Sequence, residues 1–549
     1  MFSTRLTLLG LFCLVLNLVS RANDYEDAWK ALHANDRKSA IKLLKKALDD
    51  PATAVDAYIT YVYLCTFEGK DDIPQDYLSG VYDNLKDPNP YLFAMWFSQA
   101  VLGEYGKKTV SQQKLLQKIY DDPNCNGSIK AAAYYVNFWH YQASNNFPRA
   151  LKEVAKMSAV GPQWQLAGPF ENLSGSGYHN EFGPLQHPEA GAIFRSATSA
   201  NITWFSPAVM NRDGWTFPFA HIRYNTAVIY AQTFVEAPND IKVLLNAGSS
   251  GAIRVWVNDE EAIAEKKEFV TELDYYKNYV QLKKGFNRVL VQLAYTGISS
   301  PNFIIRLTDE RYNPVEGLSY SNAYHPYPKQ SSTHQASRSI KHFAEAFFEE
   351  KIKKDPENII NYILLCKTYL RDGRVAEARS LIEDKVKMYP ENSLLRLELM
   401  QCYIKEGSRT LLLQETERMK EKDPHCMLAF RLNIQQLMDN EKYDETADEL
   451  KKYANIFGDD DDDMLNTKVR LYSAQNKMDD LIQVIENAYE KNPESATAVE
   501  LMFNVKMKVN KDVNGAFDIY EKYLKTNFNY QIIKILAEEY GKQGMSDKE

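Results

Sequence analysis

The pattern of apolar and polar positions changes twice along the chain. From about residue 24 to residue 160 it reads as helix after helix, with aromatic stretches such as "YLFAMWFSQAV" and "AAAYYVNFWHYQ" that suit helix-packing core. Between 227 and 309 it turns to alternation, in "AVIYAQTFVEAP", "DIKVLLNAG", "AIRVWVND", "YVQLKKGFNRVLVQLAY" and "NFIIRLTD", each run bounded by Gly, Asn, Asp or Pro. Ile253, Val255 and Val257 share one strand face and Val289, Val291 and Leu293 another, with Arg254, Arg288 and Gln292 pointing the other way. "NDEE" and "KKGFN" are turns suited to antiparallel neighbours. From about 340 the helical reading returns. The expected fold is α+β and multidomain: α-helical repeats, then an antiparallel β-sandwich or jelly roll, then an α-solenoid.

The last block carries a repeat. Pro356, Pro390 and Pro424 stand 34 residues apart, and Gly373 and Gly407 keep the same spacing. Tyr369, Gly373, Ala378 and Pro390, echoed by Tyr403, Gly407 and Pro424, resemble the tetratricopeptide repeat: helix, tight turn, second helix, proline break. Glu441, Asn476 and Asn510 take the glycine position in later copies, one extra residue is absorbed at Asp459–Asp463, and Pro493 restores the break. Five repeats and a partial helix fit 340–549. Each pair cannot bury its own apolar face, so the units must stack. The same period is weaker near the N-terminus, where Asn35, Ala40, Ala47, Gly69, Ala150 and Pro162 take the turn, close-packing and break positions.

"GSSGAIRVWVNDEEAI", "VQLKKGFNRVLVQLAY" and "FIIRLTD" resemble the galactose-binding-like jelly roll over roughly 227–309. The order of leader, helical repeats, "WQLAGPF" into a jelly roll, then tetratricopeptide repeats resembles the N-terminal half of large exported Bacteroidota proteins, in which a transglutaminase-like region often follows. Nothing in this chain matches that catalytic region. The chain stops at "GMSDKE", which implies either a capping helix or a truncated ancestor.

The expected division is a signal peptide over 1–22, a helical domain over 23–162, a jelly roll over 163–312, a linker over 313–338 and the solenoid over 339–549. Arg5, the apolar run Leu6–Leu16 and the Ser20, Arg21, Ala22 site predict a cleaved leader and a mature chain near Asn23. The run is short for a membrane anchor, and Leu11 and Phe12 are too bulky for lipoprotein processing at Cys13. The expectation is an exported protein, periplasmic or extracellular, with no membrane span in the mature chain. A net charge of −8 argues against nucleic acid as a partner. Cys65, Cys125, Cys366, Cys402 and Cys426 are odd in number with no CxxC pair, and read as small buried thiols rather than a disulfide framework.

Few positions suggest chemistry. In "WQLAGPFENLSGSGYHNEFGPLQHPEAG", at 164–191, Asn180 stands where a third dinucleotide-loop glycine would be, and "GSSG" at 248–251 is no nucleophile elbow. His179 and His187 with Glu181 and Glu189 could offer metal ligands, but Pro184 and Pro188 break any helix aligning them. The stretch reads as an interdomain joint, with Trp164, Leu166 and Phe170 pinning the jelly roll to the last helix, Gly168, Pro169, Gly175 and Gly177 supplying turns, and Tyr178 and His179 as candidate cleft residues. Asp459–Asp463 lacks calcium-loop spacing and reads as a helix cap. No metal, cofactor or catalytic residue is expected.

The tetratricopeptide resemblance implies a groove lined by the ninth position of each first helix: Lys367, Gln401, Gln435, Arg470 and Asn504. The thirteenth positions add Arg371, Lys405 and Lys508, interrupted by Asp439 and Ala474. A row of cations and amides suits an acidic peptide or a chain terminus. The reading is therefore a non-catalytic exported scaffold binding a protein or peptide partner. Two alternatives stand beside it. One is a carbohydrate-binding module, which needs Trp256 or Tyr275, Tyr276 and Tyr279 as exposed platforms. The other is an accessory or N-terminal part of a transglutaminase-like system.

Overall fold

The computed structural model describes residues 23–67, 85–95, 110–160, 163–196, 198–207, 213–268, 270–330, 340–458, 462–545 and 547–548. The expected leader 1–22, Gly69, Pro162 and Asp459–Asp461 lie outside these residues.

Among the described residues, seven N-terminal helices come first: α1 (Asp24–His33), α2 (Arg37–Ala47), α3 (Ala54–Phe67), α4 (Asn89–Met95), α5 (Val110–Asp121), α6 (Gly127–Ala143) and α7 (Phe147–Ala155). The C-terminal stretch begins with α8 (Phe343–Lys354). The pairs α9 (Ile359–Arg371) and α10 (Val375–Met388), α11 (Ser393–Glu406) and α12 (Arg409–Lys422), α13 (Met427–Asp439) and α14 (Tyr443–Phe457) follow. After them come α15 (Asp462–Ala474) and α16 (Met478–Lys491), α17 (Ala496–Asn504) and α18 (Val513–Leu524), and a last helix α19 (Tyr530–Lys542). Each packs on its chain neighbours, as stacked helix pairs must.

One left-handed residue turns each pair: Gly373 (φ 75°), Gly407 (72°), Glu441 (59°), Asn476 (55°) and Lys511 (56°). Asn35 (58°) and Asn145 (56°) do the same in the N-terminal block. In the fifth pair the turn falls at Lys511 rather than Asn510, because a π turn over Val505–Val509 widens the end of α17 and shifts the register.

The middle of the chain is a sandwich of antiparallel sheets. The larger runs β1 (Gln165–Phe170), β4 (Ala227–Ala237), β9 (Gly285–Tyr295), β6 (Ala252–Val257) and β7 (Glu260–Glu265), with β11 (Ser319–Ser321) also on β4. The smaller runs β10 (Asn302–Thr308), β5 (Ile241–Ser250) and β8 (Tyr276–Leu282), and β2 (Ile193–Arg195) pairs with β3 (Asn201–Thr203). The face shared by Ile253, Val255, Val257, Val289, Val291 and Leu293 meets Leu245, Ala247, Phe303 and Ile305 of the smaller sheet in one apolar core.

The opposite face of the larger sheet is not solvated. Residues 171–196 and 198–205 cover it with Tyr178, Phe194 and Trp204, which join Phe170, Trp256, Tyr230 and Leu290 of the sheet in one apolar cluster. Arg288 beneath them is 1% exposed and donates to Gln232 Oε1 (3.0 Å), Leu185 O (2.9 Å), Pro184 O (2.6 Å) and Asp259 Oδ1 (3.2 Å). Gln292 donates to Tyr178 O at 2.8 Å and accepts from Tyr230 Oη at 2.7 Å. Their burial is sustainable because each has a partner.

Two expected boundaries move. Residues 313–330 are part of the sandwich: β11 pairs with β4, Tyr327 donates to Asp259, and His325 stacks on Phe286 at 3.6 Å. Of the expected linker, 331–338 lies outside the described residues. Among the described residues, the N-terminal helices share their core with the C-terminal ones. Tyr25, Trp29, Leu32, Tyr63, Tyr91 and Phe93 share one apolar cluster with Phe348, Ile363, Leu364, Leu395 and Leu399 of the C-terminal helices. Helix α6 adds Ile129, Ala133 and Val136 to that cluster, and with its other face and α7 packs Ala131, Phe138, Ala150 and Val154 on Ile304 of the sandwich. Trp164 is buried inside the sandwich core against Phe303, 5.1 Å between rings, so β10 rather than Trp164 carries the contact to α7.

Gly373 tests the contact between solenoid and sandwich. A Cβ on Gly373 would sit 2.3 Å from Tyr275 Oη, whereas one on Gly407 meets open space. Gly407→Ala is expected to cost only the left-handed backbone term of ~1–2 kcal/mol, and Gly373→Ala measurably more in urea unfolding. Tyr275→Phe should recover part of that difference.

Candidate functional site

The inner face of the solenoid is built from α9, α11, α13, α15 and α17, and the structure divides it. At the first two pairs the chain covers this face with its own N-terminal helices. Three contacts on successive repeat loops set the register. Tyr25 donates to Asn358 Oδ1 (2.9 Å), the Asn392 amide meets His33 Nδ1 (2.9 Å), and Arg37 forms a bidentate pair with Asp423. Asn392 also caps α11, accepting from Leu394 and Leu395 N–H groups, so one side chain serves both helix and docking. His33 stacks on Tyr389 with ring centroids 3.6 Å apart. Asp56 of α3 accepts from Lys351 and Asn358, both at 2.7 Å.

Deeper in, Tyr63 of α3 donates to the buried Glu398 of α11, and Lys367 of α9 pairs with the same carboxylate at 2.9 Å beneath the Tyr63 ring. Lys367 is thus committed within the chain. So is Arg371, 7% exposed: its Nε donates to Glu272 Oε2 of the sandwich (2.9 Å), its Nη1 to Phe93 O of α4 (2.7 Å), and its guanidinium lies 4.2 Å from the Phe93 ring. One side chain of the solenoid holds both other parts of the protein. Beside it Lys277 pairs with Asp372, Arg306 pairs with Asp274, and His342 stacks on Phe93 at 3.6 Å. The expected open groove is therefore corrected at Lys367 and Arg371, because apolar N-terminal surface fills the space in front of them.

Beyond the cap the expected row stays nearer to solvent. Gln401 and Asn504 are half-buried, and Lys405, Gln435, Arg470 and Lys508 are exposed. Gln435 donates to Asp439 Oδ1 at 2.6 Å, and Arg470 reaches Gln435 Oε1 at 3.5 Å from the neighbouring pair, so ninth positions of adjacent repeats do stand side by side. Asn504 donates to Glu500 O at 2.9 Å.

The other candidates are displaced. Trp256 and Tyr276 are buried, Tyr275 packs on Gly373, and the Tyr279 ring lies 3.8 Å beneath Lys242 Nζ, so the expected sugar platforms are not open faces. Tyr178 is buried under the sheet cover while His179, His187, Glu181 and Glu189 are exposed. Among the described residues no group of three potential metal ligands gathers, and no helix is long and apolar enough to cross a membrane. Sequence reading passed over the docking ladder. Its signal is the asparagine two residues after Pro356 and again after Pro390, which gives Asn358 and Asn392 the repeat spacing of 34.

No family model and no curated protein matches the chain. Among solved structures, "Crystal Structure of the Yeast Tom70" aligns over 96% of this chain and 90% of that one, with 10% identity and a TM-score of 0.31, a likeness on which no argument is built. None of these comparisons links the chain to the exported transglutaminase-like proteins. The fold defines a class: stacked helix pairs in two stretches of one chain, with an antiparallel sandwich inserted between them.

Two outcomes test the capped half. Arg371→Met takes the partner from the buried Phe93 carbonyl and from Glu272, whose carboxylate water can still reach, and should cost ~1–3 kcal/mol in denaturant unfolding. Arg371→Lys should not restore it, since one ammonium cannot present the same fork. Burial lowers the His33 imidazole to about 4, and burial with the nearby cations Lys277 and Arg371 holds His342 well below its ordinary range. Unfolded imidazoles titrate near ~6.5, so the unfolded chain binds more protons below that pH and stability falls on acidification toward 4. Asp423 adds a second loss. Burial raises its pKa, the Arg37 pair outweighs this and lowers it, and its contribution disappears as pH drops through that lowered value. The urea midpoint should fall between pH 7 and 4.5, a window set by the two histidines, and less so in His33→Gln, with the Asp423 loss following only below the ordinary carboxylate range of ~4; an unchanged slope contradicts the assignment.

Proposed function

We propose that the protein is an exported, non-catalytic scaffold that binds a protein or peptide partner on the uncovered part of its solenoid. The docking face runs from Gln401 and Lys405 through Gln435 and Arg470 to Asn504 and Lys508. One observation carries this reading: the same helix face, two pairs earlier, already holds a polypeptide, with α1–α4 seated on it through the asparagines that precede α9 and α11, paired charges and apolar packing. The distal face offers amides and cations, which favour carboxylates and an extended backbone. The sandwich is read as a galactose-binding-like jelly roll acting as a brace, since Glu272 and Lys277 hold the first repeat turn.

A second reading keeps a saccharide in view on one observation. Tyr224 (49% exposed) and Leu173 (71%) flank a cleft of about 290 Å³ with Glu171, Ser196, Thr198 and Thr226, an aromatic face beside hydroxyls and a carboxylate. Titration with monosaccharides, with Tyr224→Ala as control, decides it.

For the scaffold, affinity purification of the exported protein should recover a partner that is lost in the triple variant Gln435→Glu, Arg470→Glu, Lys508→Glu. The variant should keep its unfolding midpoint, because these side chains are exposed. An unchanged partner set removes the distal face from the account. Sequencing of the exported chain should begin near Asn23.

A further inference from the structure

The five described cysteines are buried as free thiols, but two of them are not isolated. Cys366 on α9 and Cys402 on α11 face each other across the contact between the first helices of consecutive repeats, with Sγ atoms 3.9 Å apart and both residues 0% exposed. A disulfide needs ~2 Å between sulfurs, so closing the pair calls for a further approach of roughly that size. The surroundings favour permanence. Glu398, Lys367 and Tyr63 lock the same helix faces directly beside the pair, and the N-terminal cap shuts them from solvent.

We infer that Cys366 and Cys402 form a disulfide when the chain folds in an oxidising compartment, joining two successive repeats beneath the N-terminal cap. One thiolate attacks a sulfur of an external disulfide, that of a thiol oxidase or of glutathione disulfide, and releases one thiol. The second cysteine's thiolate attacks the mixed disulfide and releases the other. Two protons leave the cysteines and two electrons reduce the external disulfide, so the step balances. It belongs to folding, before α9 and α11 close. In the folded chain neither sulfur is accessible, and burial together with Cys402 pushes the Cys366 thiol far above its ordinary range, which suppresses the thiolate. The cross-link restricts the unfolded chain and strengthens the capped half, where the N-terminal helices dock.

The setting rests on the export reading; the chemistry of the pair does not. Refolding the full chain from denaturant in a glutathione and glutathione disulfide buffer, then denaturing, blocking with N-ethylmaleimide and digesting, should give one peptide pair linked through Cys366 and Cys402. Dithiothreitol should lower the urea midpoint of that product and leave Cys402→Ser unmoved. Recovery of both cysteines as maleimide adducts, or of either one joined to another cysteine, overturns the proposal. The same digest on protein recovered from cells separates the two readings. A pair that links on refolding but is reduced in the cell counts against export and leaves the pairing standing.

Discussion

The architecture depends on a single buried guanidinium. Arg371 closes the first helix of the first repeat, yet its partners are the Glu272 carboxylate of the sandwich and the Phe93 carbonyl of the N-terminal block. A buried cation is tolerable only when its donors are satisfied, so the three parts must meet in one geometry. The adjacent Lys277 with Asp372, and Tyr275 against the bare Cα of Gly373, extend this contact along the repeat turn. The paired charges determine how the parts orient, and the shared apolar cluster supplies most of the driving force.

From that junction the protein acquires two unlike halves. The proximal repeats are part of a single core with α1–α4, and their inner face serves folding. The distal repeats, whose apolar clusters are separate, leave Gln435 and Arg470 at the surface. Near the solenoid's far end, Phe528, ahead of α19, meets Phe147 of the N-terminal helix α7 edge-on at 6.2 Å. An inner face that already carries one polypeptide is the physical basis for reading its continuation as a binding surface.

Much of this was legible in the sequence, for local reasons. The 34-residue spacing of proline and glycine marks the repeats because each helix pair needs one left-handed residue, and Gly373, Gly407, Glu441 and Asn476 all adopt that conformation. Alternation in β6 and β9 identified the core face of the larger sheet correctly. What escaped was non-local. Arg288 and Gln292 read as outward-facing, and they do leave the core, but a segment a hundred residues earlier covers them and supplies their acceptors. Lys367 and Arg371 have the composition of groove residues, and only the fold brings Tyr63 and Phe93, some 280 to 300 positions away in sequence, in front of them. The Lys511 turn was displaced by a π turn that no residue type announces.

Native-state hydrogen exchange tests the central claim, that the N-terminal helices are a constituent of the solenoid and not a detachable neighbour. Amides of α1 and α3 should open with the same free energy and denaturant dependence as those of α9 and α11, as one cooperative unit. Exchange of α1 and α3 through a low-energy local opening, with α9 and α11 still protected, would contradict the account.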